Sequence, residues 1–370
     1  MISRRAFLGG VGTAAALSGL GTAGWAQTGT PDAGQAASHP FAIDTLTPDD
    51  PSFDPRQAVA AGLTAAVVDL RGFPRNFAAA VDALADWSDA LHQEGSGFFK
   101  VLQAADLDEA RRQGKLGVIL ASQDAAILDA STASVNDRNL RNLRFFYDLG
   151  LRVLQLTHNE RNAVGDSFRE KSNAGLSRLG EKVVAEMNSL GMLVDLSHCG
   201  DQTTLEAIRL SKKPCAVTHA GCRALFPTGR NKTDEAIHAL AERGGYFGVF
   251  AMSVWLTERD QPSVDDVVDH IDHLVKIGGT DLPGFGSDGP VLANDTPPEV
   301  ALEGFKSYYR RNAGLPGSER EPKHVTVPDL NTPRRLQVLA DALARRGYKG
   351  DAVDKVLGGN FVRVFRAVCG

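Results

Sequence analysis

Leu193-Val194-Asp195-Leu196-Ser197-His198 and, one helix further on, Val217-Thr218-His219 decide the fold. Each is an apolar run that closes on a polar residue and a histidine. The sequence between them has the length of one helix, so the stretch 191–230 reads as a β–α–β unit with a histidine at the end of each strand. Neighbouring strands of a parallel sheet lie about 4.8 Å apart. Two histidines leaving adjacent strands at one level therefore converge on one ion or one substrate. That carboxyl edge is where α/β barrels carry their reactive groups. A lone histidine after a strand is more often a structural donor; two in register point to a site.

Outward from this unit, the same rhythm repeats. Apolar runs at 41–44, 64–69, 117–121, 153–157, 192–196, 215–218, 246–250 and 283–286 make eight expected strands, separated by helical segments. Punctuation supports the helices. Val183, Val184, Met187 and Leu190 share one face, and Gly191 suits the C-cap. Asp201 suits the cap of the next helix and Pro214 its stop. Thr233 precedes Asp234 and Glu235, acids that favour a helix N-terminus. No strand–GxGxxG–helix and no GxxxxGK[ST] loop occurs, which removes the main support for a doubly wound sheet. The fold class expected is α/β, a (β/α)8 TIM-type barrel over 41–370. The Pro/Gly-rich, charged segment 289–328 reads as a long loop or lid, and 333–346 and 351–368 as closing helices.

The chain of 370 residues is 43% hydrophobic and 23% charged, which suits a globular protein with ample core. Residues 1–26 read as a signal: Arg4-Arg5 in a twin-arginine pattern, a short Gly/Ala-rich apolar stretch, then Gly24-Trp25-Ala26 as a cleavage site. Residues 27–40 read as a linker. Export by the twin-arginine route and a periplasmic location are expected. Loss of the two arginines takes the net charge from −5 to −7, which argues against nucleic acid as a partner. The four cysteines, Cys199, Cys215, Cys222 and Cys369, include no CxxC pair, so neither a zinc ribbon nor a redox pair is indicated.

If the site lies at the carboxyl edge, polar residues should follow several strands. They do: Gln123-Asp124 after the third, His158-Asn159 after the fourth, His198 after the fifth, His219 after the sixth and Asp288 after the eighth. Only nine histidines occur in the chain, and three of them fall at this edge. Three or four His or Asp ligands with an open position describe a catalytic zinc site, in which the metal lowers the pKa of a bound water to about 7. Arg230, eleven residues after His219, suits a bidentate clamp on a carboxylate.

The same residues resemble the membrane (renal-type) dipeptidases, peptidase family M19. The resemblance runs through 144–152, Gln155-Leu156-Thr157-His158-Asn159, Met187 to His198, Ser211-Lys212-Lys213-Pro214 with Thr218-His219, Arg230-Asn231-Lys232-Thr233-Asp234, Phe285-Gly286-Ser287-Asp288-Gly289 and Gly358-Gly359-Asn360-Phe361. It implies a barrel metallohydrolase that cleaves dipeptides at two bridged zinc ions. His198 and His219 would bind one zinc, His158 would stabilise the oxyanion, Arg230 would hold the substrate carboxylate, and Asp288 would handle the proton of the attacking water. The chain departs from the pattern at the first strand, where Asp44-Thr45-Leu46-Thr47-Pro48 replaces Asp-x-His-x-Asp, and after the third, where Gln123 replaces the bridging glutamate. A neutral amide is a poor substitute for a bridging carboxylate. One zinc ion or none is therefore expected rather than two, held by His198 and His219 with Gln123 as the third candidate. The function expected is an exported, metal-dependent hydrolase of a dipeptide or other small amide. A non-hydrolytic binding protein, or an isomerase or lyase that uses His158 and Asp288, is the alternative. A small peptide or amide is the expected partner, and a homodimer stays open.

Overall fold

A computed structural model describes residues 41–70, 74, 76–129 and 137–370. The signal and linker segments lie outside the described residues. Nine strands form one parallel sheet: β1 (Ile43–Thr47), β2 (Ala65–Asp69), β3 (Phe98–Lys100), β4 (Leu116–Ser122), β5 (Leu151–Gln155), β6 (Leu193–Asp195), β7 (Ala216–Ala220), β8 (Tyr246–Val249) and β9 (Pro283–Phe285). Their order is β1-β2-β4-β5-β6-β7-β8-β9, with β3 paired to β4 off this path. The eight expected strands are all present, and together they make the nearly closed (β/α)8 barrel. The extra strand β3 has only three residues, Phe98-Phe99-Lys100. That is too short for a period-2 pattern to register.

Strand alternation divides the core. Ile43, Ala65, Val67, Ile119, Ala121, Val153, Leu193, Ala216 and Tyr246 fill the barrel interior together with Phe361, Val364 and Phe365 of the helix Asn360–Cys369. The intervening residues Ala66, Val68, Leu120, Leu154, Val194 and Val217 pack outward in the larger cluster beneath the helices. Because side chains alternate, the inward rows run on to Asp69 from Val67, to Gln123 from Ala121, to Asp195 from Leu193 and to Thr218 from Ala216. Apolar filling thus gives way to polar groups at one end of the barrel.

The seam between β1 and β9 closes through side chains and a backbone hydrogen bond. Asp44 Oδ1 accepts from Ser287 N–H at 2.7 Å, and Leu46 O accepts from Asp288 N–H at 3.1 Å. Arg335 Nη1 lies 3.4 Å from Asp44 Oδ2 and donates to Ser287 Oγ at 2.9 Å, while Nη2 donates to Pro290 O at 2.6 Å. Asp288 follows this latch with φ 55, a left-handed conformation that is uncommon for a non-glycine residue.

Gly191 is the left-handed C-cap of the helix Arg178–Leu190, and Thr233 caps the helix Asp234–Glu242 by accepting from Ala236 N–H. The cap ahead of Asp201 is Gly200; Asp201 sits in the first turn and pairs with Arg223 at 2.7 Å. The segment 289–328, expected as a loop, contains the helix Pro298–Arg311. Its Phe305 ring packs edge-on against Trp255 at 5.9 Å, and Trp255 Nε1 donates to Gly317 O. A Pro/Gly-rich composition at the segment's two ends hid the helix between them.

Candidate active site

The motif that opened the sequence reading builds one hydrogen-bonded unit. Asp195, on the inward row of β6 and 1% exposed, accepts four hydrogen bonds. Ser197 N–H and Ser197 Oγ reach Oδ1 at 3.0 and 2.6 Å, Thr218 N–H reaches it at 3.1 Å, and Thr218 Oγ1 reaches Oδ2 at 2.7 Å. Burial raises the Asp195 pKa, and these donors oppose the shift. Ser197 Oγ also accepts from His219 N–H at 3.1 Å. The carboxylate thereby fixes the ends of β6 and β7 to one another, and with them the two histidines.

Their tautomers follow from their neighbours. Thr218 Oγ1 has given its one hydrogen to Asp195, so toward His219 Nδ1, 2.8 Å away, it accepts. His198 Nδ1 faces Asn159 Oδ1 at 3.0 Å, which also accepts. Both imidazoles are therefore protonated on Nδ1. Burial holds both pKa values well below the usual 6.5, with the Arg230 charge as the next cause, so each ring is neutral and carries a lone pair on Nε2. The two Nε2 atoms lie 2.9 Å apart. Two lone pairs aimed at each other call for a cation between or beside them.

Arg230 supplies one. It is 0% exposed. Nη1 donates to Ser197 O at 2.8 Å, and Nη2 donates to His219 O and to His198 Nε2, both at 3.0 Å. Phe250, Trp255 and Phe168 surround the guanidinium at 5.1, 5.6 and 5.8 Å. Burial lowers its pKa to about 10, against the pull of Asp288 and Asp195, and it stays charged at neutral pH. The arginine read as a carboxylate clamp is a locked interior cation, with both terminal nitrogens engaged within the protein. Nε is buried without a hydrogen-bond partner among the described residues. His158 stacks on His198, with ring centres 4.4 Å apart, as strand-end spacing suggested.

The other half of the mouth differs. Leu46 is buried and Pro48 is exposed, and neither can ligate. Gln123 N–H donates to Asp69 Oδ1 at 2.8 Å, and its carbonyl accepts from Gln155 Nε2 at 2.5 Å. Asp69 was missed in the sequence, although its place at the end of the inward row Ala65, Val67 marks it. Burial pushes its carboxyl up to about 8, with the charge of Asp288 contributing. Asp288 keeps partial exposure, yet dense surroundings push it up to about 7, with Arg230 opposing and Asp44 contributing. Asp49 is turned to Val291 N–H, and Asp124 to Ala126 N–H and Asn162. Neither replaces the missing ligands.

These donors do not fit a carboxylate-bridged pair of ions. Among the described residues, no group of three His, Cys, Asp or Glu side chains is arranged to hold a metal. The His198–His219 pair could give a single divalent ion two imidazole ligands, because each Nδ1–H is engaged by an oriented acceptor and each Nε2 carries a lone pair, that of His198 now accepting from Arg230 Nη2.

The pattern of the membrane dipeptidase family (peptidase family M19) matches residues 57–294. The chain belongs to this family. Among curated relatives, dipeptidase tcpJ of Claviceps purpurea is 29% identical over 270 residues, 72% of this chain and 54% of the relative. The chain thus spans about half the length of that curated protein. An amidohydrolase from Pseudomonas aeruginosa is 28% identical with a TM-score of 0.75, covering 89% of this chain and 96% of that one. A metallo peptidase from Rhodobacter sphaeroides, liganded with a phosphinate mimic of the dipeptide L-Ala-D-Ala, superimposes with a TM-score of 0.68 at 19% identity over 89% of this chain and 99% of that one. At that identity it speaks for the fold alone.

Proposed function

We propose that this M19 chain hydrolyses a dipeptide or a similarly small amide at a site centred on His198 and His219. The observation that carries the reading is the pair of neutral imidazoles whose Nε2 lone pairs face one point, with both Nδ1–H groups engaged from behind. His198 and His219 would hold one divalent ion, zinc by its preference for imidazole, and such an ion polarises a carbonyl and acidifies a water. Asp288 makes no hydrogen bond through its carboxylate among the described residues, and it carries a pKa near neutrality. It is the group able to take a proton from an attacking water and return it to the leaving amine. His158, stacked on His198, is the nearest candidate to hydrogen-bond a developing oxyanion. Arg230 Nε is the donor left for a ligand carboxylate.

The changes at Leu46, Pro48 and Gln123 favour a second reading, a binding protein that holds such a ligand without turning it over. One assay separates them. Protein reconstituted with zinc is given a panel of free dipeptides, and amino acid release is measured beside calorimetric binding. Release that His219→Ala abolishes supports the hydrolase. Binding without release supports the second reading. Export to the periplasm through residues 1–26 is a separate proposal, supported by the twin-arginine pattern and checked by fractionating cells that express the full chain.

A further inference from the structure

We propose that the Arg230 guanidinium and a divalent ion are alternative occupants of the His198–His219 lone-pair site, so that the chain carries a built-in competitor for its own metal. The inference rests on the histidine pair being a metal site. His198 Nε2 has a single lone pair, which lies in the plane of the ring. In the structure that lone pair accepts from Arg230 Nη2 at 3.0 Å, while His219 Nε2 stands 2.9 Å away. An ion bound by both nitrogens takes the lone pair that Nη2 now uses, so ion and hydrogen bond exclude each other.

Three features make the guanidinium a strong rival. Ser197 O and His219 O, the carbonyls of the motif that carries the histidines, hold it in place. Phe168, Phe250 and Trp255 enclose it. The third is the weakness of the opposing claim: Leu46, Pro48 and Gln123 supply no anionic ligand that would tilt the balance toward the ion. A guanidinium is also the more weakly hydrated cation, which suits a buried position.

The test is zinc chloride titrated into the whole protein and followed by calorimetry, with cobalt absorption as a second readout. Wild type, Arg230→Met and Arg230→Met/His219→Ala are compared. Arg230→Met is expected to bind at least about tenfold tighter than wild type, and His219→Ala to remove the gain. Equal or weaker binding in folded Arg230→Met overturns the proposal. Should that variant not fold, wild-type crystals soaked in zinc give the answer. Nη2 withdrawn from His198 Nε2 supports the competition, and an ion seated with Nη2 unmoved, or seated elsewhere, overturns it. Hydrolysis is scored separately. Turnover by zinc-loaded wild type, beside unchanged metal affinity in Arg230→Met, leaves the hydrolase standing and removes only the competition, whereas no metal binding in any variant removes both.

Discussion

The two halves of the barrel mouth have been treated differently. On the side of β5, β6 and β7, the polar side chains around the two histidines form one network: Asp195 holds Thr218 and Ser197, Thr218 sets His219, Asn159 sets His198, and Arg230 closes the unit. On the side of β1, β2 and β4, the strand ends carry the buried residues Leu46, Gln123 and the acid Asp69. The seam there is held by Asp44 and Arg335 in place of ion ligands. One half has kept donors that are oriented by a second layer. The other has kept strand closure and given up ligation. An ion that needs both halves has no place here, and the proposed single ion would rest on the first half alone.

The largest expected effect comes from cutting the first half at its centre. His219→Ala removes one of the two lone pairs and should abolish metal binding and lower turnover by about 10³-fold, since several kcal/mol of charge stabilisation go with the ion. Elemental analysis and a dipeptide assay check it. Retained metal and activity would place the chemistry in the other half and break the comparison.

Asp195→Asn touches neither ligand, yet should weaken metal binding by about 10–100-fold, the usual cost of losing an outer-layer partner. An amide presents only one acceptor oxygen to the four donors that Asp195 now satisfies. Thr218 then loses its acceptor and is free to donate to His219 Nδ1. That switches the imidazole to the Nε2–H tautomer and blocks its lone pair. Nitrogen-15 NMR of the His219 ring reads the tautomer directly. An unchanged Nδ1–H signal would refute the relay.

How much of this was legible in the sequence follows from the same contrast. The strand-end histidines were legible because apolar runs ending in Ser-His and Thr-His are local patterns, and strand spacing does the rest. Asp195 stood in full view inside its motif, but its role depends on Thr218 and Ser197 being brought against it, which is tertiary information. Arg230 was legible as a fixed arginine near the site, but its burial was not. Only the carbonyls of Ser197 and His219 and the three surrounding rings show that it is locked. Asp69 and Arg335 were overlooked for a different reason. One belongs to an ordinary-looking strand, and the other to a helix 291 residues away from the Asp44 it pairs with.

The smallest effect expected is on the second half, and it concerns stability rather than catalysis. Asp69 has its pKa raised from 3.8 to about 8, chiefly by burial. A carboxyl favoured in its protonated form contributes its full stability below the unfolded pKa of about 4, and loses it as pH climbs through the folded value. Wild type should therefore lose stability between pH 4 and pH 8 through this residue. Asp69→Asn cannot ionise, and it keeps an oxygen able to accept from Gln123 N–H. Its melting temperature should lie close to wild type at pH 4 and above it at pH 8. The gap is on the order of a few degrees, because a shift of this kind is worth some kcal/mol at most and a large domain converts each into about 2–4 °C. Zinc affinity should not change. A gap that narrows with rising pH would mean that Asp69 is ionised and paired in the folded protein, and a loss of zinc would mean that β2 reaches the histidines after all, so that the two halves act as one site.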